Sequence, residues 1–253
     1  MTSSEPTRPG TTFTIVGHRG AMASVLENTI ASFEEAERVG CQEIELDIRP
    51  SADGRLVLTH DRSLDRMMAE QDRGLGPVDT MNWAALQKVE LRDGHRVATL
   101  EEAVAATSVF LQVEIKDPAV VPLLADRVDK LPALTQRVRL TSFDTEALVH
   151  ARQLMPQIPR GQIIHGLPLP EDRREDLESL LQRTGADALY CGWTGLTAEV
   201  VADQHAAGRL VHGWPTRSEE DLALALELGL DGTTADDPEA AIGWYEQARA
   251  AAG

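Results

Sequence analysis

A chain of 253 residues, 42% of them hydrophobic, can bury one sizeable core, and α/β barrels of this length form single domains. The formal net charge of -17 argues against general binding to nucleic acid or anionic membrane, which needs basic surface. It also obliges any anionic ligand to find a local cationic pocket. Two distant cysteines, Cys41 and Cys191, speak against a disulfide framework and for a reducing, cytoplasmic setting in which both are small core residues.

Residues 1–12 are polar, with Pro, Ser and Thr, and read as a flexible tail without the apolar centre of a signal peptide. No apolar run is long enough for stable membrane insertion. The first apolar run, FTIV at 13–16, ends in GHRG and is followed by a helix over about 29–39 that stops at Gly40. EIELDI at 43–48 comes next. The Asp53–Gly54 pair then predicts a turn and a return strand ending in LVLTH. Residues 61–99 break the rhythm as an insertion after the second strand, holding a short helix near 83–88, before a helix begins near Leu100.

From there strand and helix patterns alternate. VFLQVEI (109–115) precedes a helix near 119–130, RVRLTSF (137–143) one over 144–154, and IPRGQII (158–164) one over 172–184. ADALYC (186–191) precedes 197–207, GRLVHGW (208–214) precedes 218–228, and LDGTT (230–234) precedes a last helix from Pro238. Gly40, Gly185, Gly208 and Gly229 stand where helix C-caps belong, and Asp144 and Ser218 stand at N-caps. Eight strands alternating with helices predict a parallel sheet covered by helices, closed as a (β/α)8 TIM barrel over residues 13–253.

Active sites of such barrels form at the C-terminal strand ends. There the chain places His18 and Arg19 after strand one, Glu45 and Asp47 on strand two, and Glu114 and Lys116 at the end of the 109–115 strand. Residues two apart on a strand share a face. Glu45, Asp47 and Glu114 therefore form an all-oxygen set suited to Mg²⁺ or Ca²⁺ rather than Zn²⁺. The same three carboxylates would also serve an ion-pair network neutralised by Lys116. His60, beside Asp61 at the end of the return strand, faces the cluster opposite His18, so two imidazoles could share acid and base duties. Arg19, Lys116 and a dication would make a phosphate pocket.

HRG (18–20), ENT (27–29), ELD (45–47), DG (53–54), HD (60–61) and EIK (114–116) together resemble the glycerophosphodiester phosphodiesterase family, and TSFD (141–144), Trp214 and LDGTTADDP (230–238) continue the likeness over about residues 13–245. The resemblance implies a TIM barrel that hydrolyses glycerophosphodiesters to glycerol 3-phosphate and an alcohol. It implies His18 and His60 as the acid–base pair, Glu45, Asp47 and Glu114 as ligands of one divalent cation, and Arg19 and Lys116 on the phosphate. Glu27 and Asn28 would lie on the phosphate side, with helix capping the alternative for Asn28. Trp214 would pack on the glycerol, and Phe143 would be an apolar wall or a core plug. The chain departs from the family pattern at Leu26, where proline is frequent, and at WPTR (214–217), where TVN usually follows the tryptophan.

A small-molecule diester is the expected substrate. A lysophospholipase D-like activity on lysolipids and a non-catalytic phosphodiester-binding barrel are the other readings, and the alcohol and the oligomeric state stay open. His212 is expected to pack in a barrel layer, His165 to sit in a solvated loop, and His95, His150 and His205 to lie at the surface.

Overall fold

Along 43–48 and 111–115 every second residue is aliphatic and the residues between are polar, so one face of each strand must meet helices and the other a polar interior. The computed structural model, which describes residues 13–170 and 176–252, realises that sorting. Its elements are β1 (Thr14–Gly17), α1 (Ile30–Val39), β2 (Glu43–Pro50), β3 (Leu56–Leu58), α2 (Trp83–Leu86), α3 (Leu100–Ala106), β4 (Phe110–Ile115), α4 (Val120–Ala125), α5 (Ala133–Gln136), β5 (Val138–Ser142), α6 (Thr145–Leu154), β6 (Arg160–Gly166), α7 (Leu177–Thr184), β7 (Ala188–Thr194), α8 (Ala198–Ala206), β8 (Leu210–Thr216), α9 (Glu219–Leu228), β9 (Gly232–Ala235) and α10 (Pro238–Ala252). The segment at 1–12 lies outside the described residues.

Eight parallel strands run in the order β1-β2-β4-β5-β6-β7-β8-β9, and β9 pairs back onto β1 to close the barrel. Outward-facing Ile44, Leu46, Ile48, Leu111, Val113 and Ile115 pack with Phe33, Ala36 and Ala103 in the largest apolar cluster. Burying such side chains stabilises by about 1.5–3 kcal/mol each. Inward-facing polar residues pair with one another: Gln112 donates to Glu43 (2.7 Å) and Arg139 to the Tyr190 hydroxyl (3.3 Å). His212 is buried beside Tyr190 in that polar interior, as expected, and burial pushes its pKa down to about 3. Cys41 and Cys191 are buried and unpaired.

Helix boundaries follow the capping residues. Thr29, Asp144 and Ser218 accept from the backbone three residues on, and Gly40, Gly185 and Gly229 close their helices in the left-handed region. Gly208, also left-handed, follows the Ala207 cap. The helix expected near 119–130 ends at Ala125 as α4 and runs on to 130 only as turns, with the short α5 beyond it. The Arg127 side chain takes the Leu123 carbonyl at 2.6 Å, and the Arg127 amide donates to the Leu124 carbonyl in its place. The helix expected from 172 begins at Leu177 behind the Asp176 cap, and the expected residues 172–175 lie outside the described ones.

β3 is the predicted return strand. Ser51 and Arg55 close the turn through Asp53 and left-handed Gly54, and β3 pairs antiparallel to β2. Pairing continues as Thr59 N–H donates to the Asp47 carbonyl at 3.1 Å, which brings His60 back over the second barrel strand. Residues 61–99 then run through α2 and short single turns on a cluster of Leu64, Met67, Met68, Val78, Leu86 and Leu91. Leu26 joins that cluster, which accounts for an apolar residue at this departure from the family pattern.

Candidate active site

Parallel register sets Glu45 beside Gln112 and Asp47 beside Glu114. Neighbouring strands lie about 4.8 Å apart, so inward carboxylates at these positions converge. Oxygens of Glu45, Asp47 and Glu114, all buried, lie within 4.8 Å of one another. Among the described residues, Glu45 Oε1 and Asp47 Oδ1 have no hydrogen-bond partner. Burial, then repulsion from Asp47 and Glu114, raises the Glu45 pKa well above its ordinary value. Burial and Asp47 push Glu114 up to about 7 despite the Lys116 Nζ contact at 2.7 Å. Burial also opposes ionisation of Asp47, but Arg19, Lys116 and His60 outweigh it and hold this carboxyl below the usual range. Arg19 Nε lies 3.3 Å and Lys116 Nζ 3.7 Å from its oxygens. One firmly anionic oxygen pair beside two under-neutralised carboxyls is a donor set that a hard dication fits.

The turn after β1 assembles the rest. Arg19 and Asn28 both take left-handed backbone, with φ of 52° and 54°, which is uncommon without glycine. Gly20 is required here because a Cβ would land on Ser32 of α1. Arg19 N–H donates to Glu45 (2.9 Å), and its guanidinium donates to Glu27 (3.0 Å). Asn28 is fully buried. Its amide nitrogen donates to Asp47 Oδ2 (2.8 Å) and its amide oxygen accepts from Asp47 N–H (3.1 Å). The capping alternative for Asn28 is thereby overturned: Thr29 is the cap, and Asn28 clamps Asp47.

His18 and His60 line one cleft of about 400 Å³ with Arg19, Glu45, Glu114 and Lys116. Phe143, His165, Trp214 and Arg217 line it too. His18 Nδ1 meets Asp236 Oδ1 at 2.5 Å, while its Nε2 lies 4.0 Å from Glu45. His60 Nδ1 meets Asp61 Oδ1 at 2.7 Å. Burial lowers the His60 pKa, against the pull of Asp47 and Asp61. Phe143 stacks on His165 at 4.4 Å and meets Trp214 edge-on at 5.4 Å. His165 is thus exposed but part of an aromatic wall, not the free loop residue expected, because β6 continues to Gly166 and carries it to the barrel rim. His95 is half-buried, His150 is exposed, and His205 pairs with Asp231 at 2.8 Å.

Sequence reading missed Asp236 and Arg66 as neighbours of the site. Arg66, in the insertion, donates to Asp61 (2.7 Å) and Glu27 (2.8 Å). A larger depression of about 820 Å³, between Met68, Leu75 and Arg92 of the insertion, is lined by none of the histidines, carboxyls or cations of the cleft. We place the chemistry in the smaller cleft because the charged groups converge there. Among the described residues no helix is long and apolar enough to cross a membrane.

Residues 18–240 match the model of the glycerophosphoryl diester phosphodiesterase family. A glycerophosphodiester phosphodiesterase of Caldanaerobacter subterraneus is 28% identical, over 90% of this chain and 96% of that protein. One of Bacillus subtilis is 28% identical, over 88% of this chain and 83% of its own length. Among solved structures, an Oleispira antarctica phosphodiesterase in complex with the product sn-glycerol-3-phosphate shares the fold with a TM-score of 0.80 at 24% identity, over 92% of this chain and 96% of that one.

Proposed function

The chain belongs to the glycerophosphoryl diester phosphodiesterase family, and we propose that it hydrolyses water-soluble glycerophosphodiesters to glycerol 3-phosphate and an alcohol with a divalent cation and a two-histidine acid–base pair. The observation that carries this reading is the convergence of three buried carboxylates, two of them with an unpartnered oxygen, between two imidazoles and two cations in one cleft.

Glu45, Asp47 and Glu114 would hold Mg²⁺ or Ca²⁺, which when bound supplies Lewis-acid stabilisation of the phosphoryl oxygens. Arg19 and Lys116 bind and orient the phosphate. One imidazole takes the proton of the glycerol 2-hydroxyl as that oxygen attacks phosphorus. The other gives a proton to the departing alcohol, leaving a cyclic phosphate. Water then opens the ring with the two roles exchanged, so the pair ends as it began. Trp214 and Phe143 exclude water on the side facing the glycerol and alcohol.

Supporting a soluble substrate over a lysolipid, the large apolar side chains left exposed among the described residues are Leu75, Leu154 and Leu224, and none lines the cleft. The unpaired thiols of Cys41 and Cys191 fit the reducing cytoplasm. We read 13–253 as one barrel domain and 61–99 as an insertion that caps the acidic side.

The test is release of glycerol 3-phosphate from glycerophosphocholine, glycerophosphoethanolamine and glycerophosphoglycerol with Mg²⁺ or Ca²⁺. His18→Ala and His60→Ala should each lower kcat by about 10²–10⁴ with unchanged melting. Undiminished turnover in His18→Ala, or no turnover of any diester by the parent chain, overturns the reading.

A further inference from the structure

The two imidazoles are held in the same way from opposite sides of the cleft. His18 Nδ1 meets Asp236 Oδ1 (2.5 Å), and the other oxygen of Asp236 accepts from Arg217 Nε (2.7 Å). His60 Nδ1 meets Asp61 Oδ1 (2.7 Å), and the other oxygen of Asp61 accepts from Arg66 Nε (2.7 Å). The two supports come from unrelated parts of the chain: Asp236 and Arg217 follow β9 and β8, whereas Asp61 and Arg66 open the insertion after the return strand.

We propose that Asp236–Arg217 and Asp61–Arg66 are paired positioning relays, each fixing one imidazole with Nδ1 protonated so that Nε2 alone exchanges protons with the substrate. The proposal rests on the acid–base reading above. An ionised carboxylate only accepts, so the ring nitrogen facing it carries the hydrogen. Asp236 and Asp61 are both held at about 2, with burial overcome by their histidine and arginine partners. The neutral ring then has a bare Nε2 that can take a proton, and the charged ring has an Nε2–H that can give one, while the Nδ1 proton stays in place throughout. One partner geometry thus serves both directions of transfer, which a pair that must exchange roles requires.

The relays differ in their outer members. Arg66 also holds Glu27, which holds Arg19, so it ties His60 to the phosphate side. Arg217 has Asp236 as its side-chain partner, and its side chain is 66% exposed. It lies in the WPTR departure, so this outer support on His18 belongs to this chain's own variation.

Nitrogen-15 NMR of the imidazole rings is one arm of the test, and it reads tautomers whether or not the protein turns over. Steady-state kcat and KM on a diester turned over by the parent chain are the other. The parent chain should show His18 and His60 as Nδ1–H when neutral. Asp236→Asn should move His18 alone to Nε2–H and lower kcat about a hundredfold or more with little change in KM. Asp61→Asn should do the same to His60 alone. Arg66→Ala should lower kcat at least tenfold, with only partial recovery in Arg66→Lys, which cannot fork between two carboxylates. Arg217→Ala should lower it about two- to fivefold, as an exposed pair implies. If Asp236→Asn does not fold, Asp236→Ala serves in its place, with a mixed His18 tautomer and at least a tenfold loss expected. An unchanged tautomer, or kcat within threefold of the parent in either Asp236 variant, overturns the relay. A parent chain inert on every diester would instead strike the acid–base reading and leave the NMR arm to judge the geometry.

Discussion

Strands β1, β2 and β4 line one side of the cleft with His18, Arg19, Glu45, Glu114 and Lys116, with Asp47 buried beside the two glutamates, whereas β5, β6 and β8 present Phe143, His165 and Trp214 on the other. On the first side the three carboxyls are buried, and the groups are cross-braced. Asp47 alone meets Arg19, Lys116 and both ends of the Asn28 amide. On the second side the rings are half-buried or exposed and hold one another by stacking, and Trp214 Nε1 has no partner among the described residues. The braced side holds charges whose displacement would be costly in a low-dielectric pocket. Under the proposed function, the aromatic side is the wall that would face the glycerol and the alcohol. Chemistry should therefore fail abruptly when the first side is altered, and substrate affinity should drift when the second is.

The largest contrast is expected from the carboxylates. Glu45→Gln should lower diester turnover by at least a thousandfold and remove any melting shift caused by Mg²⁺ or Ca²⁺. The same change should raise the melting temperature of the chelated protein by a few degrees, since it deletes one of three mutually repelling acids, a relief on the order of 1–2 kcal/mol. Equal metal-induced shifts in parent and variant would break the comparison.

A smaller effect is expected from pH. Glu114, held at about 7, keeps in the folded chelated protein a proton that the unfolded chain releases near the ordinary value of 4.5. The native state thus binds more protons across pH 4.5–7, and stability falls as pH rises through that window. Chelated protein should melt a few degrees lower at pH 8 than at pH 5, by about 1–3 kcal/mol from this group. Saturating dication should narrow the gap, because binding requires the deprotonated form. Melting curves at the two pH values, with and without chelator, sharpen or sink it.

The smallest effect belongs to the aromatic side. Trp214→Ala should raise KM about tenfold, or about 1.4 kcal/mol, with kcat within a few-fold. Trp214→Phe should lose less, because it keeps an aromatic ring beside Phe143 and gives up part of the indole's area and its N–H. A drop in kcat that matches or exceeds the rise in KM would show that this wall positions the reacting atoms as well.

Much of this was legible before folding. Period-two alternation and glycine or hydroxyl caps act within a few residues, so the eight strands, most helix ends and the shared face of Glu45 and Asp47 can be read from spacing alone. The Asp53–Gly54 turn likewise predicts the return of His60. What spacing cannot contain is which distant side chains meet when the sheet closes. Asp236 reaches His18 across 218 positions only because β9 pairs with β1. Arg66 enters the site because the insertion folds on its own apolar cluster. Asn28 faces Asp47 and not its own helix because the turn after β1 takes left-handed backbone, a choice settled by close packing on Ser32 and by hydrogen bonds from another strand. Local periodicity is a property of the chain, whereas the partners of a charged group are set by register and closure, which exist only once the barrel is complete.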